Sequence, residues 1–297
     1  LVDELHVARA SGVMGIKRAA AKVRPRQYDT TLLLTNSFST AMTMRVAGIP
    51  RRIGYDRDAR GLLLTDRMDA PKRPDGAWAA ISAVQYYWNL ANRFLLEGAG
   101  RPAPVMGCME LAISPAQAAA GHAILSRAGI TNTDRVALLN PGGNDPAKRW
   151  PADRFAAIAD RLAARSWKIL VNGSPAEADV IAALLAACKV AQPVALPALG
   201  ITLGSLKHVI KRANLMVTND TGPRHMAAAL ATPLVSLFGP TDHRWAIIPT
   251  HPSAPEALVL ADPTLPPDLF ANDHPERCAM TKIEVERVWE AVEGVVG

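Results

Sequence analysis

Short apolar runs alternate with amphipathic segments along the second half of the chain, and this alternation constrains the fold more than any other feature. Strands are predicted at residues 135–139, 167–171, 215–217 and 233–237, and helices at residues 153–164, 176–187, 205–212 and 224–230. Strands that alternate with helices in this way favour a doubly wound parallel sheet. The carboxyl ends of its strands then share one edge of the sheet, where open α/β folds bind ligands.

The first half of the chain has a less regular order of elements. Helices are predicted at residues 6–23, 38–47 and 77–96, strands at 31–35 and 52–55, a short apolar segment at 62–64 and a loop at 67–75. Residues 97–113 are interrupted by Gly and Pro, and a helix then begins at Ser114-Pro115 and runs to about Arg127. We expect two domains, residues 1–125 and 126–297, and the second domain ends in a helix at 284–296.

Composition limits the classes of protein and of partner. The chain has 297 residues, enough for roughly two domains of about 150 residues. Hydrophobic residues make up 49% and charged residues 20%, which is typical of a packed core and not of a disordered chain. The net charge of +6 favours anionic partners such as nucleotides and phosphorylated lipids. Aromatic residues are only 5% and do not interleave with Lys/Arg blocks, so we expect no nucleic-acid partner.

Cysteine usage and the chain start bear on the compartment. Cys108, Cys188 and Cys278 lie far apart and show neither metal spacing nor a disulfide framework, which fits a reducing cytoplasm. No signal peptide and no apolar run near 18 residues is visible, so no segment is expected to span a membrane. Residue 1 is Leu and the first methionine is Met14, and we therefore expect the chain to start inside a larger protein.

The stretch 214–230 combines an apolar strand, a polar turn and a helix. Asp220 and Thr221 suit an N-cap, Gly222 lets the backbone bend or lets a ligand approach, and Pro223 suits the first helical position. Such a helix start presents free backbone N–H groups and a positive dipole end, which favour a bound anion. The same residues would also make a well-capped turn without a ligand, because capping and anion binding use the same chemistry.

Three further polar loops follow predicted strands. Asn140-Pro-Gly-Gly-Asn144 brings Gly142 and Gly143, which permit close backbone approach, and it is followed by Lys148 and Arg149, which supply charge for phosphate oxygens. This loop matches neither the P-loop nor the G-x-G-x-x-G pattern, and a solvated Gly-rich loop would also explain it. The other two loops are Asn172–Glu177 and Phe238–Asp242.

Two residues near these loops admit both a functional and a structural interpretation. Glu177 is placed to accept hydrogen bonds from ribose hydroxyls, but it also fits compensation of the helix dipole in a first turn. His225 lies one turn into the helix after Gly222, and it could serve the site or be a structural histidine. Because all four loops fall on one edge of the predicted sheet, together they favour a nucleotide cleft.

In this order the segments resemble the ADP-heptose:lipopolysaccharide heptosyltransferases, glycosyltransferase family 9. The resemblance rests on seven short segments, the third of them together with His225: Asn140-Pro-Gly-Gly143, Ala147-Lys-Arg-Trp-Pro151, Thr218-Asn-Asp-Thr-Gly222, Phe238-Gly-Pro-Thr241, Thr35-Asn-Ser-Phe38, Ala47-Gly-Ile-Pro50 and Arg52-Ile-Gly-Tyr55. It covers most of the chain from about Asp29 to Thr241. It implies an α/β fold of the GT-B type, with two facing Rossmann-like domains of which the first is incomplete. The first would hold the acceptor and the second the sugar nucleotide, and the final helix would pack back across the cleft.

The resemblance also assigns roles by position. Lys148 looks like the family's essential lysine near the diphosphate and the sugar, and Asp220 looks like the aspartate that holds heptose hydroxyls. Thr221 and Gly222 look like a backbone cradle for the phosphates, and Glu177 is similar in position to the ribose-binding glutamate. The remaining donor-site residues by this resemblance are Asn140, Gly142, Gly143, Arg149 and His225. The family's opening Gly-Asp loop, which carries its proposed general base, has no counterpart here, which puts the activity of this chain alone in doubt.

The implied activity is an inverting, metal-independent transfer of heptose from ADP-heptose to the inner core of lipopolysaccharide, with no cofactor. The implied location is cytoplasmic and peripheral on the inner face of the cytoplasmic membrane. Basic residues in 51–60 and 72–73 would face the anionic acceptor or the membrane surface, or would form a solvated face. Two alternatives stay open: a related GT-B glycosyltransferase with another nucleotide sugar or acceptor, and a non-catalytic fragment that binds a sugar nucleotide.

Overall fold

The computed structural model describes residues 3–8, 12–102 and 106–297. The chain forms two compact units, Leu1–Met106 and Gly107–Gly297. Residues 9–11 of the predicted first helix, and residues 103–105 of the predicted linker, lie outside the described residues.

The first unit contains a parallel three-stranded sheet in the order β1-β2-β3. Its elements are α1 Gly12–Val23, β1 Thr30–Leu33, α2 Phe38–Ala47, β2 Arg51–Asp56, β3 Asp66–Asp69 and α3 Ala83–Ala91. The predicted bounds of α2 are confirmed, because Ser37 caps its start by accepting from the Thr40 N–H and Gly48, with φ of 85°, ends it. The loop predicted at 67–75 is wrong in its first residues, which form β3 instead.

Three of the basic residues in the segment 51–60 bind carbonyl or carboxylate oxygens of this unit. Arg51 donates to Asp66 and to the Phe94 carbonyl, and Arg52 donates to the carbonyls of Ile49, Pro50 and Leu63. Arg60 is fully buried and donates to the carbonyls of Thr35 and Tyr55. Burial lowers the pKa of Arg60. The expectation of an outward basic face is therefore wrong for Arg60, whereas Arg51 and Arg52 remain partly exposed.

The second unit contains a parallel six-stranded sheet in the order β6-β5-β4-β7-β8-β9. Its elements are α4 Pro115–Arg127, β4 Val136–Asn140, α5 Ala152–Ala163, β5 Lys168–Val171, α6 Ala178–Ala187, β6 Val194–Ala195, α7 Leu203–Arg212, β7 Leu215–Asn219, α8 Gly222–Ala229, β8 Leu234–Phe238, β9 Glu256–Leu260 and α9 Val285–Val296. The predicted alternation of strands and helices is confirmed, and β6 and β9 add strands that the pattern did not predict.

The central strands of this sheet are buried on both faces. Leu139 and Val217 pack with α5, α6 and α9, whereas Leu138 and Met216 point to the opposite face, and all four side chains are fully buried. Continuous apolar strands of this kind are typical of a parallel sheet covered by helices on both sides. Such a sheet holds the carboxyl ends of β4 and β7 in fixed register, with Asn140 opposite Thr218.

Helix α4 belongs to the second unit. Ser114 and Gln117 form a capping box at its start, and Gly121 lies so close to His208 of α7 that a Cβ at residue 121 would come within 2.4 Å of the His208 Cβ. The boundary expected at 125/126 would cut this helix, whereas the compact units divide at 106/107. The final helix α9 packs on α5, β8 and β9 of the second unit.

Candidate functional site

A cavity of about 510 Å³ lies at the carboxyl edge of the second unit's sheet. It is bounded by the loops that follow β4, β5 and β7 and by the segment that leads into α7. Its lining residues are Asn140, Gly143, Asn144, Asp145, Lys148, Asn172, Gly173, Ser174, Pro175, Glu177, Ile201, Thr202, Leu203, Leu206, Asp220, Thr221, Gly222 and Pro223. The cavity therefore has a polar, charged side and an apolar side.

A buried amide network joins the ends of three strands beneath the cavity. The Asn172 Nδ2 donates to the Asn140 Oδ1 at 2.7 Å, and the Asn140 Nδ2 donates to the Thr218 Oγ1 at 3.1 Å and to the Thr221 Oγ1 at 3.0 Å. Buried polar groups that are satisfied in this way fix one arrangement of the surrounding backbone. Asn140 thus links the ends of β4, β5 and β7 beneath the cavity.

Asn219 fastens the loop after β4 to the end of β7. Its Nδ2 donates to the carbonyls of Pro141 and Gly142 at 2.8 and 3.1 Å, and its Oδ1 accepts from the Trp150 N–H at 3.2 Å. Asn219 is fully buried. Its side chain therefore holds the loop that carries Lys148 at both of its ends, a role that the sequence pattern did not reveal.

The Glu177 carboxylate accepts hydrogen bonds from backbone N–H groups of two loops that line the cavity. One carboxylate oxygen accepts from the Gly143 N–H at 2.5 Å, and the other accepts from the Ser174 N–H at 2.6 Å. A Cβ at residue 142 would come within 2.1 Å of the Glu177 Oε1, so any side chain there would displace the Glu177 carboxylate. Glu177 lines the cavity, and each of its oxygens retains a second acceptor lone pair that could meet a hydroxyl.

Lys148 and Asp220 meet on the polar side of the cavity. The Lys148 Nζ lies 4.0 Å from the Asp220 Oδ2, and their side chains are 33% and 13% exposed. Arg149, beside Lys148 in sequence, points elsewhere, because its Nε donates to the Gly143 carbonyl at 2.7 Å. The structure thus brings the expected lysine and aspartate together, whereas Arg149 supports the loop and lies outside the cavity lining.

The N-terminus of α8 opens onto the same cavity. Thr221 occupies the N-cap position but makes no capping bond, because its hydroxyl accepts from Asn140 and donates to the Asn219 carbonyl. Pro223 has no N–H and the Arg224 N–H donates to the Thr221 carbonyl at 3.1 Å, so the N–H groups of Thr221 and Gly222 are the ones that could meet an anion here. A Cβ at Gly222 would meet nothing within 4 Å, so space remains above it.

Two other expected residues lie outside the cavity lining. His225 is partly buried in α8, and burial together with the neighbouring Arg224 lowers its pKa, so its imidazole is neutral at pH 7. Gly142, in the loop after β4, lies against the Glu177 carboxylate. The fourth loop, Phe238–Asp242, lines a separate cavity of about 280 Å³, where Arg244 holds Asp242 through both carboxylate oxygens. Three of the four loops therefore form one site.

The apolar wall of the cavity was not predicted from the sequence. Ile201, Leu203 and Leu206 form it, together with Thr202, which caps α7 by accepting from the Ser205 N–H. An apolar wall beside polar groups suits a planar ring that is held by its faces. The signal for this wall in the sequence is the apolar pair Ile201 and Leu203 at the start of α7.

Two properties of the described residues concern metals and membranes. Across residues 3–8, 12–102 and 106–297, no group of three or more His, Cys, Asp or Glu side chains is arranged to hold a metal ion. In the same parts of the chain, none of the helices is both long and apolar enough to cross a membrane.

The fold and the site define a class of protein. The chain is α/β, of the GT-B type, with a parallel sheet in each unit and a polar cavity at the carboxyl edge of the second. Residues 16–261 match the profile of glycosyltransferase family 9 (heptosyltransferase), and the chain belongs to this family.

Curated relatives carry the same family name. Lipopolysaccharide heptosyltransferase 2 of Salmonella typhimurium is 30% identical over 230 residues, which cover 76% of this chain and 64% of that protein. Lipooligosaccharide heptosyltransferase 2 of Haemophilus influenzae is 27% identical over 266 residues, which cover 86% of this chain and 72% of that protein. The chain thus spans less than two thirds of the length of the Salmonella relative.

Solved structures agree in fold. The glycosyl transferase family 9 protein of Veillonella parvula superposes with a TM-score of 0.77 at 22% identity, covering 99% of this chain and 82% of that one. The ADP-heptose lps heptosyltransferase II of E. coli gives a TM-score of 0.71 at 23% identity, covering 95% of this chain and 80% of that one.

Proposed function

We propose that this protein transfers heptose from ADP-heptose to the inner core of lipopolysaccharide, with inversion at the anomeric carbon. The observation that carries the proposal is the pairing of Lys148 and Asp220 beside the N-terminus of α8, in one cavity. Membership in glycosyltransferase family 9 and the names of the curated relatives support heptose as the transferred sugar.

The cavity provides a place for each part of the donor. The apolar wall of Ile201, Leu203 and Leu206 suits the adenine ring. Glu177, on the neighbouring wall, suits the ribose hydroxyls through its free lone pairs. The N–H groups at Thr221 and Gly222 suit the diphosphate, and Asp220 suits the heptose hydroxyls as an acceptor.

The chemistry requires stabilisation of the leaving nucleoside diphosphate. Glycosyl transfer passes through an oxocarbenium-like transition state in which negative charge grows on the leaving phosphate. The Lys148 ammonium and the start of α8 would meet that charge, and fixed donors of this kind need no reorganisation as it develops. We expect no required metal or other cofactor, so transfer should persist in the presence of a chelator.

The remaining parts of the proposal concern the acceptor and the location. The first unit would hold the lipopolysaccharide core. We place the protein in the cytoplasm, peripherally on the inner face of the cytoplasmic membrane, because its acceptor is a lipid-linked anion and the chain has a net charge of +6.

The central test is Lys148→Ala in the full-length protein. We expect the rate of heptose transfer from ADP-heptose to heptose-deficient lipopolysaccharide to fall by about 10²–10³-fold, the usual cost of losing one preorganised group that stabilises transition-state charge. ADP release, measured in a coupled assay, reports the rate.

Lys168→Ala is the matched control, because Lys168 is an exposed lysine at the opposite, amino end of β5. Its rate should equal that of the parent. If Lys148→Ala retained a rate within about twofold of the parent, the assignment of Lys148 would be wrong.

A further inference from the structure

Arg224 is a fully buried arginine in the first turn of α8. Its guanidinium forms a two-pronged pair with Glu256 of β9, with Nε to Oε1 at 2.7 Å and Nη2 to Oε2 at 3.1 Å. It also donates to the Ser236 hydroxyl of β8 and to the Ala246 carbonyl. A guanidinium is removed from water at a large cost unless its donors are satisfied, and here three elements of the structure satisfy them.

The remaining contact of Arg224 leads into the cavity. Its Nη1 donates to the Asp220 Oδ1 at 3.4 Å, while the Asp220 Oδ2 lies 4.0 Å from the Lys148 Nζ. Charges of alternating sign thus run from Glu256 through Arg224 and Asp220 to Lys148. Only the last two of these four residues line the cavity.

We propose that Arg224 is a positioning residue for the donor sugar, which it affects only through Asp220. The guanidinium, fixed by Glu256, Ser236 and Ala246, holds one oxygen of Asp220 so that the other oxygen is presented to the cavity. This inference rests on the proposed role of Asp220 in binding heptose hydroxyls.

Asp220 needs a second cationic partner because Lys148 lies beside it. An aspartate whose only cationic neighbour was Lys148 would draw the ammonium to itself, and the ammonium would then meet the diphosphate less well. Arg224 supplies a second cation on the side away from the cavity, so the carboxylate charge is shared between the two. A planar guanidinium can also bind Glu256 with two donors and still reach Asp220 with another, which a lysine ammonium does less well.

The experiment measures binding, and so it does not depend on the transfer reaction. The variants are Arg224→Met with Glu256→Gln, which removes both buried charges together, and Arg224→Lys, which keeps the charge and loses the planar fork. Each is made in the full-length protein, alone and with Asp220→Asn. Calorimetric titration gives the affinities for ADP-heptose and for ADP.

We expect both Arg224 variants to weaken ADP-heptose binding by about tenfold, with ADP binding changed less than about twofold, since ADP lacks the sugar that Asp220 would hold. In the Asp220→Asn background, the same changes should have no further effect, because a residue that acts through Asp220 has nothing left to position. Equal weakening of ADP and ADP-heptose, or additive losses in the Asp220→Asn background, would show a merely structural role and overturn the inference.

Arg244→Lys is the matched control. Arg244 also binds a buried aspartate, Asp242, and two backbone carbonyls, but it lies outside the lining of the donor cavity. The Arg244→Lys variant should bind ADP-heptose and ADP as tightly as the parent does. Unchanged ADP-heptose affinity in Asp220→Asn itself would contradict the proposed function, whereas a loss in Asp220→Asn without a loss in the Arg224 variants would contradict only the role of Arg224.

Discussion

Gly142 shows how one backbone position sets the shape of the site. The Glu177 carboxylate lies where the Cβ of any other residue at 142 would stand, with 2.1 Å to its Oε1 and 2.3 Å to its Cδ. Glu177 in turn bridges the Gly143 and Ser174 N–H groups and so joins the loops after β4 and β5. The close approach that the two glycines were expected to offer a ligand is used, at Gly142, by a residue of the protein itself.

Gly142→Ala is therefore expected to displace Glu177 and to loosen the loop that carries Lys148. We expect the affinity for ADP to fall by at least about tenfold and the free energy of unfolding to fall by about 1–3 kcal/mol, the usual cost of overpacking a tight site. Calorimetric titration and denaturant unfolding measure the two effects.

Gly294→Ala provides the control for the glycine change. Gly294 lies within α9, and a Cβ there meets nothing within 4 Å, so the variant should keep its ADP affinity and gain up to about 1 kcal/mol from better helix propensity. Parent-like ADP binding in Gly142→Ala would show that Glu177 does not shape the site.

At the scale of elements, α9 is held to the second unit by two kinds of contact. Val288 and Val292 are fully buried in the main apolar cluster of the sheet. On the surface, Arg161 pairs with Glu286 and Arg165 pairs with Glu293, with side chains between 35% and 70% exposed. Exposed pairs contribute little because water screens them, so burial should dominate the attachment of this helix.

Val292→Ala should lower the free energy of unfolding of the second unit by about 2 kcal/mol, since it deletes two buried methyl groups and leaves a cavity. Glu293→Ala, one residue along the same helix, should change it far less. Unfolding in guanidinium chloride gives the free energy of unfolding of each variant. A larger loss from Glu293→Ala would mean that the ion pairs hold the helix.

Elements with a local signal were predictable from sequence, and elements without one were not. Helices α2 and α4 were placed correctly because Ser37 and Ser114 cap them. Strand β3 has the sequence Asp-Arg-Met-Asp, which has no apolar run, and it forms because it pairs with β2. Strand β9, which received no prediction, likewise takes its place by pairing with β8.

The same distinction applies to the site. Lys148, Asp220, Thr221 and Gly222 were predictable, because they follow strands whose carboxyl ends share an edge. The contacts by which Asn219 and Glu177 hold the neighbouring loop were not predictable, since they span 69 to 78 residues of sequence for Asn219 and 34 for Glu177. Contacts at such separations depend on the order of strands in the sheet, which local pattern does not contain.

At the scale of the whole molecule, the polar cavity with its apolar wall lies entirely within the second unit. The proposed function therefore predicts that ADP-heptose, added without an acceptor, slows hydrogen exchange in this unit. Hydrogen exchange, read by mass spectrometry with and without ADP-heptose, should show slower exchange in peptides covering residues 140–148, 172–177 and 219–223. Peptides from β1 and β2 of the first unit should change less, because they would contact only the acceptor.

Donor identity can be resolved in the same protein by comparing nucleotides. A ligand at 100 times its dissociation constant stabilises the state that binds it by about 2.7 kcal/mol, so a matched donor should raise the melting temperature by several degrees. ADP-heptose should raise it more than UDP- or GDP-sugars at equal concentration. A larger shift with a UDP-sugar would favour a related glycosyltransferase with a different donor. In the hydrogen-exchange experiment, slower exchange of β1 and β2 with ADP-heptose would place the donor in the first unit instead.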